Sequence, residues 1–128
     1  MFAFESGQQW TYRAPEGFEG SRIVVGAVLT FSGHEPVVCC AVTDAPSRLV
    51  DGSLARITIP FLPLSEAALR SSVVACSGRT DPPVGFAEGL AVWSKDPRGL
   101  SVFTVPFDGF LDRLIARQMA AIVGLTAA

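Results

Sequence analysis

His34 is the only histidine in the chain, and it stands beside Glu35 in the short segment SGHEP. Histidine titrates near neutral pH, so next to a carboxylate it can move a proton, and with further histidines, thiols or carboxylates it can hold a metal. One histidine makes no multi-histidine site. Cys39 and Cys40 lie too close to it along one strand to wrap around a shared ion, so no metal site is expected. Polar residues in a turn between two apolar runs are ordinarily solvated.

Thiol chemistry is the second candidate. A nucleophilic cysteine needs a lowered pKa, supplied by a cationic neighbour or a helix N-terminus. Cys39 and Cys40 sit inside the apolar run VVCCAVTD and read as small buried hydrophobes. Cys76 falls at a predicted helix C-terminus, where the helix dipole disfavours a thiolate. Carboxylates offer a third route. Asp44 ends the VVCCAVTD run and Asp51 lies in the next loop, so the two could flank an acid–base site, although aspartate is equally a turn residue. The glycines of EGFEGSRIVVG precede a strand, whereas a dinucleotide-binding loop follows one and opens a helix, so no nucleotide cofactor is expected.

Aromatic side chains remain. Trp10, Tyr12, Phe18, Phe31, Phe61 and Trp93 could line a groove, but they are also what fills a small sheet–helix core. Trp10 is expected to be core. Tyr12 is expected beside Arg13 and Arg22, across a hairpin, as a mixed aromatic–basic patch. The candidate binding set is therefore Trp10, Tyr12, Arg13, Arg22, His34 and Asp44, with no catalytic residue assigned.

The elements that must position these residues change character along the chain. WTYR, RIVVGAVLTF, VVCCAVTD and LARITIPF alternate or run apolar and predict strands. In the second of these, Ile23, Val25, Ala27, Leu29 and Phe31 share a face, and Gly26 signals a bulge or a close backbone approach. VVCCAVTD is apolar on both faces and predicts an interior strand. APSRLVDG reads as a loop, and Ile57, Ile59 and Phe61 are expected to point inward. Ser65 then predicts an N-cap for a helix through Cys76, with Leu69, Val73 and Cys76 as its stripe and Gly78 as its stop. A second helix follows Asp81–Pro82, carries Phe86, Leu90 and Trp93 on one face and ends before Pro97. After a turn at DPRG, LSVFTV predicts a last strand. Asp108 is expected to cap a final helix whose apolar arc takes in Phe110, Leu111, Leu114, Ile115, Met119, Ile122 and Leu125. Gln118 falls inside that arc: it is either a satisfied core amide or part of a face that meets a partner. The fold expected is α+β. One domain over 1–128 would hold a strongly twisted antiparallel sheet of four to five strands, in one form an SH3-like partial barrel, packed on one side by two to three helices.

Composition narrows the function classes. The chain has 128 residues, 49% of them hydrophobic and 17% charged, with a net charge of −2 at pH 7. Its mean hydropathy is +0.41 and its pI about 5.3. Lys95 is the only lysine and there is no basic cluster, which argues against nucleic acid. The N-terminus lacks the pattern of a signal peptide, and no apolar run approaches the roughly 20 residues of a membrane span. An odd number of cysteines, two of them adjacent, fits reduced thiols in a cytoplasm. The apolar surplus suggests a face covered by a second copy or another protein.

Five stretches in fixed order, GQQWTYR, GSRIVVGAV, IPFLPLSEAALRSSV, VGFAEGLAVW and GLSVFTVPFDGFLD, resemble a family of small bacterial proteins of unknown function. The resemblance spans most of the chain and implies a bacterial cytoplasmic protein, with no activity attached. VVCCAVTDAPSRLVDG departs from the family pattern, which carries a more polar strand there, and the C-terminal RLIARQMAAIVGLTAA runs past it. The function expected is a non-catalytic interaction module, of a partner-binding, inhibitor or immunity type, acting as a dimer or on another protein. The alternative is a small-molecule binder or small enzyme with a pocket between sheet and helices, in which Asp44, His34 and Arg22 would carry the chemistry.

Overall fold

The alternation around Gly26 becomes a strand whose two halves face opposite ways. Ile23 and Val25 enter one core, a bulge falls between Val25 and Ala27, and Ala27 and Leu29 then pack on the other face. Gly26 also meets the expectation of a close approach. A Cβ there would lie 2.1 Å from the Phe86 ring, so only glycine admits that ring.

A computed structural model describes residues 3–96 and 101–126. The elements are β1 (Gln8–Tyr12), β2 (Arg22–Leu29), β3 (Val37–Arg48), β4 (Leu54–Ser65), α1 (Glu66–Ser72), β5 (Val73–Arg79), α2 (Phe86–Ser94) and α3 (Leu111–Thr126). The strands form one antiparallel sheet in the order β4-β3-β2-β1-β5. The fold is α+β, as expected. The sheet is open, with β4 and β5 as its edges. It must nevertheless curl. A helix of seven residues, α1, spans about 10 Å, yet it links edges that a flat sheet of five strands would hold roughly 19 Å apart.

The curl encloses the larger core. Trp10, Tyr12, Ile23, Val25, Val38, Cys40, Val42, Ile59, Leu62 and Leu64 point into it, and Leu69 of α1, Phe107 and Leu114 of α3 cover it. On the other face, Val37, Cys39 and Ala41 pack under Phe86, with Phe61, Leu90 and Trp93 around them. The helices thus cover both faces, where the sequence suggested one side. β3 is buried on both faces along Val37–Val42 and is an interior strand, as its composition predicted.

Four local readings are corrected. The predicted helix through Cys76 stops at Ser72, and Val73–Arg79 is β5. The Ser72 hydroxyl turns back to the Ala68 carbonyl at 2.7 Å, and the β-branched Val73 and Val74 follow. The open side of β1 takes them as a partner, with Tyr12 opposite Val73. Secondly, 45–48 continues β3 instead of forming a loop, and the hairpin turn falls at 49–53, closed by Leu49 N–H to Ser53 C=O at 2.8 Å. Pro46 is tolerated because its missing N–H falls at a position where the ladder alternation demands no bond. Thirdly, β4 shifts register between the pairs Val42–Ile59 and Cys40–Leu62. Phe61 therefore faces α2 while Ile59 faces the main core, and Ile57 stays exposed. Finally, the predicted strand LSVFTV reduces, among its described residues, to a single parallel bridge from Phe103 to Leu64. The turn read at 96–99 lies largely outside the described residues; Leu100 and the Leu125 side chain lie outside them altogether.

Two further structural expectations agree. Ser65 Oγ accepts from Ala68 N–H at 3.2 Å as the cap of α1, and α2 presents Phe86, Leu90 and Trp93 to the sheet. Asp108, expected as the cap of the last helix, instead stands three residues ahead of Leu111, its carboxylate receiving Phe110 N–H at 3.5 Å and the Arg113 guanidinium at 2.8 Å.

Candidate functional site

β1 turns alternate side chains to opposite faces, which decides the fate of the aromatic pair. Trp10 is buried, its ring edge-on to Phe4 at 5.4 Å and its indole N–H donating to Gln8 Oε1 at 3.1 Å. Tyr12 is buried as well. Its hydroxyl lies 2.7 Å from Ser21 Oγ, and Ser21 in turn donates to the Thr43 carbonyl at 2.8 Å. A carbonyl only accepts, so the Ser21 proton is committed there and Tyr12 is the donor to Ser21. Burial raises the Tyr12 pKa, the Ser21 contact partly offsetting it. Arg13 points away, to the Ser71 carbonyl at 2.8 Å. Arg22 bonds the carbonyls of Glu19 and Ser21. The expected aromatic–basic patch is therefore not formed: Tyr12 is core, Arg13 is tied to the last turn of α1, and Arg22 holds the loop before β2.

His34 and Asp44 are equally separate. His34 is exposed in the β2–β3 turn, while Asp44 lies beyond the Arg22–Thr43 pair at the far end of the same ladder. Val37 and Asp44 are seven steps apart along the strand, roughly 23 Å. Asp44 takes a positive φ of 52°, which suits aspartate at a register shift, and its side chain is exposed. No acid–base pair arises from them.

The thiols are not activated. Cys39 and Cys40 are fully buried; desolvation pushes the Cys39 thiol up to about 11 and Cys40 further. Cys76 is exposed on the edge strand β5, not at a helix end. Among the described residues, no group of three or more His, Cys, Asp or Glu could hold a metal.

Two depressions among the described residues adjoin the candidate residues or the apolar arc of α3. A cleft of about 450 Å³ runs between the β2–β3 turn and 102–104, lined by Phe31, His34, Glu35, Val37, Ser65, Val102 and Thr104. Its polar groups mostly serve the fold. Glu35 Oε2 accepts from Ala67 N–H at 2.7 Å, and Thr104 donates through N–H and hydroxyl to Gln118 Oε1. Gln118 is thus an amide with a partner within the chain. The second depression, about 300 Å³, lies between the β3–β4 hairpin and α3, lined by Pro46, Ser47, Arg48, Ile57, Leu111, Asp112 and Ile115. Beside it the Phe110 ring is held between two guanidinium groups, Arg48 at 4.7 Å and Arg113 at 4.6 Å. Asp108 binds both Arg113 and Arg117.

This second depression opens onto an apolar face of α3. Phe110 and Leu114 are buried, but Ile115, Met119, Ile122 and Val123 are exposed. The sequence shows this arc but not the groove, because strand alternation points Ile57 inward and the composition of 45–48 predicts a loop. The excess width of the arc was the available signal: a core-facing helix needs an apolar stripe little wider than about 100°.

No family model, no curated protein and no solved structure matches the chain. No helix of the described residues is long and apolar enough to cross a membrane.

Proposed function

We propose that this protein is a non-catalytic interaction module that meets another protein, a second copy included, through the face formed by α3 and the outer part of β4. One observation carries the reading. Ile115, Met119 and Ile122 lie on one side of α3 and remain 46%, 59% and 48% exposed, with Ile57 of β4 beside them at 39%. Large apolar side chains grouped on one element, not scattered, mark interaction surfaces. The buried thiols, the separation of His34 from Asp44 and the structural use of Arg13 and Arg22 favour binding over catalysis. A mildly acidic chain with one lysine favours a protein partner over nucleic acid. Three free thiols, one of them exposed, favour a reducing compartment such as the cytoplasm.

The test separates surface from core. A variant carrying Ile115→Ser, Met119→Ser and Ile122→Ser is compared with the parent by light scattering at submillimolar concentration and by urea unfolding. A docking face loses self-association or partner binding while stability holds within about 1 kcal/mol. A drop of several kcal/mol would mean that these side chains serve the core, and would overturn the reading.

A further inference from the structure

Resting on that reading, we propose that the outer edge of β4, residues 54–58, together with the groove beside it, takes up one extended strand from a different protein: a short alternating apolar segment bearing a carboxylate near its hairpin end.

Backbone geometry is the first support. The Leu49–Ser53 bond closes the hairpin, so the antiparallel alternation turns the backbone groups of residues 53, 55 and 57 toward β3. Leu54, Arg56 and Thr58 then present N–H and C=O outward, and among the described residues no backbone group meets them. An unpaired edge of this kind is a template for an added strand. Secondly, the chain already uses the adjoining part of the same edge. Phe103 N–H donates to Pro63 C=O at 3.0 Å, and Ser65 N–H donates to Phe103 C=O at 2.9 Å. A partner strand along 54–58 would extend a row that the chain itself begins. Thirdly, Ile57, the residue of this edge that lines the groove of about 300 Å³, meets Leu111 and Ile115 of α3 there, while Pro46, Ser47 and Arg48 of β3 form the rest of the strand wall.

Charge and length define the occupant. Arg48 lies at the hairpin end of the groove, stacked on Phe110. Asp108 is shared by Arg113 and Arg117, and among the described residues no carboxylate pairs with Arg48. A carboxylate on the incoming strand would supply that partner. Pro60 has no N–H to offer, so the usable edge is about five residues, roughly 17 Å. A second copy fits this edge poorly: two-fold pairing centred on Arg56 sets Arg56 against itself, and like charges directly opposite are destabilising.

The experiment selects a phage-displayed library of random dodecapeptides on the full-length protein, then measures an enriched peptide, synthesised and labelled, by fluorescence anisotropy. Enrichment of alternating β-branched sequences with aspartate or glutamate is expected. Affinity should fall about tenfold or more for Arg48→Glu and for Thr58→Pro, the latter removing an outward N–H that no other described backbone group uses. Circular dichroism and melting confirm the fold of each variant; should Thr58→Pro unfold the protein, Arg48→Glu decides. No enriched peptide, a lysine- or arginine-rich one, or one indifferent to both substitutions would overturn the strand proposal. If the α3 serine variant still changes self-association in that case, the interaction module survives and only its strand partner is lost. If that variant also changes nothing, both readings fall.

Discussion

β4 is one strand with two fates. From Ile59 to Ser65 it is flanked by β3 on one side and touched by Phe103 on the other, and Leu62 and Leu64 are almost wholly buried. From Leu54 to Thr58 its backbone pairs with β3 alone, Arg56 reaches to the Gly17 carbonyl and the Phe18 ring, and Leu54 and Ile57 reach solvent. Both halves carry apolar side chains on a similar backbone. What differs is whether the rest of the chain has anything left to lay over them. α1 and Phe107 close the first half, whereas α3 stops short of the second and leaves a groove. Apolar content therefore does not by itself report burial, and the outer half has the makings of a surface.

The largest expected contrast lies in the thiols, which probe how well the inner strands are sealed. Under native conditions a thiol reagent should label Cys76 at once, and Cys39 and Cys40 only as the sheet opens, slower by orders of magnitude. Prompt labelling of all three would mean that β3 is not sealed, and the contrast with outer β4 would vanish. The same burial gives a pH dependence. The Cys39 thiol is raised from its ordinary 9.0 to about 11, so between those values the unfolded chain binds fewer protons than the folded one. Its contribution to stability is intact below pH 9 and is lost as the pH climbs toward 11, with buried Tyr12 acting in the same direction. Urea midpoints across that range should fall.

Next comes the covered half of β4 itself. Leu64→Ala removes a side chain that is fully buried among core residues and should cost about 3 kcal/mol in urea unfolding. A cost below about 1 kcal/mol would place the covered half of β4 in a looser environment than its burial indicates. Gly26→Ala should follow, at about 2 kcal/mol, because the new methyl meets the Phe86 ring at 2.1 Å and either the ring or the strand must move. If Phe86→Leu, introduced alongside, restores most of that loss, the close approach of α2 to the sheet is its cause.

The two halves also differed in how far the sequence revealed them. β2, β3 and the inner part of β4 were legible because burial on a sheet imposes a period of two, and Gly26 announced its own bulge. Beyond a register shift that period misleads. One residue of slippage between Ile59 and Leu62 turned Phe61 toward α2, and no local pattern encodes where a shift falls; Ile57 keeps the face of Ile59 and stays outside because α3 stops short of it. β5 was misread for a related reason: Leu69, Val73 and Cys76 keep helical spacing, but the edge of β1 needed a partner and tertiary pairing overrode the pattern. Of the candidate site residues, Trp10 was rightly expected in the core. Tyr12, Arg13 and Arg22 went astray because adjacency across a hairpin does not fix which way a side chain turns, and His34 and Asp44 because a single ladder separates its ends. The groove was illegible, since it joins two segments about 60 residues apart, Ile57 and Ile115, through a loop path that periodicity cannot trace.

The smallest expected effect is also the sharpest test of the contrast. Ile57→Ser exchanges a large apolar side chain for a small polar one on the same strand as Leu64. At 39% exposure, and with its backbone bonds to β3 untouched, the change should cost no more than about 0.5–1 kcal/mol. Both substitutions delete buried or half-buried carbon from β4, so their difference isolates what covers each half. If Ile57→Ser instead approached the cost of Leu64→Ala, α3 would be packing on the outer strand in solution and the groove would be closed. If the two differ as expected, α3 stands off from β4 in the free protein. Any protection of the backbone amides of Leu54, Arg56 and Thr58 from hydrogen exchange on adding a partner would then come from that partner and not from the chain's own core.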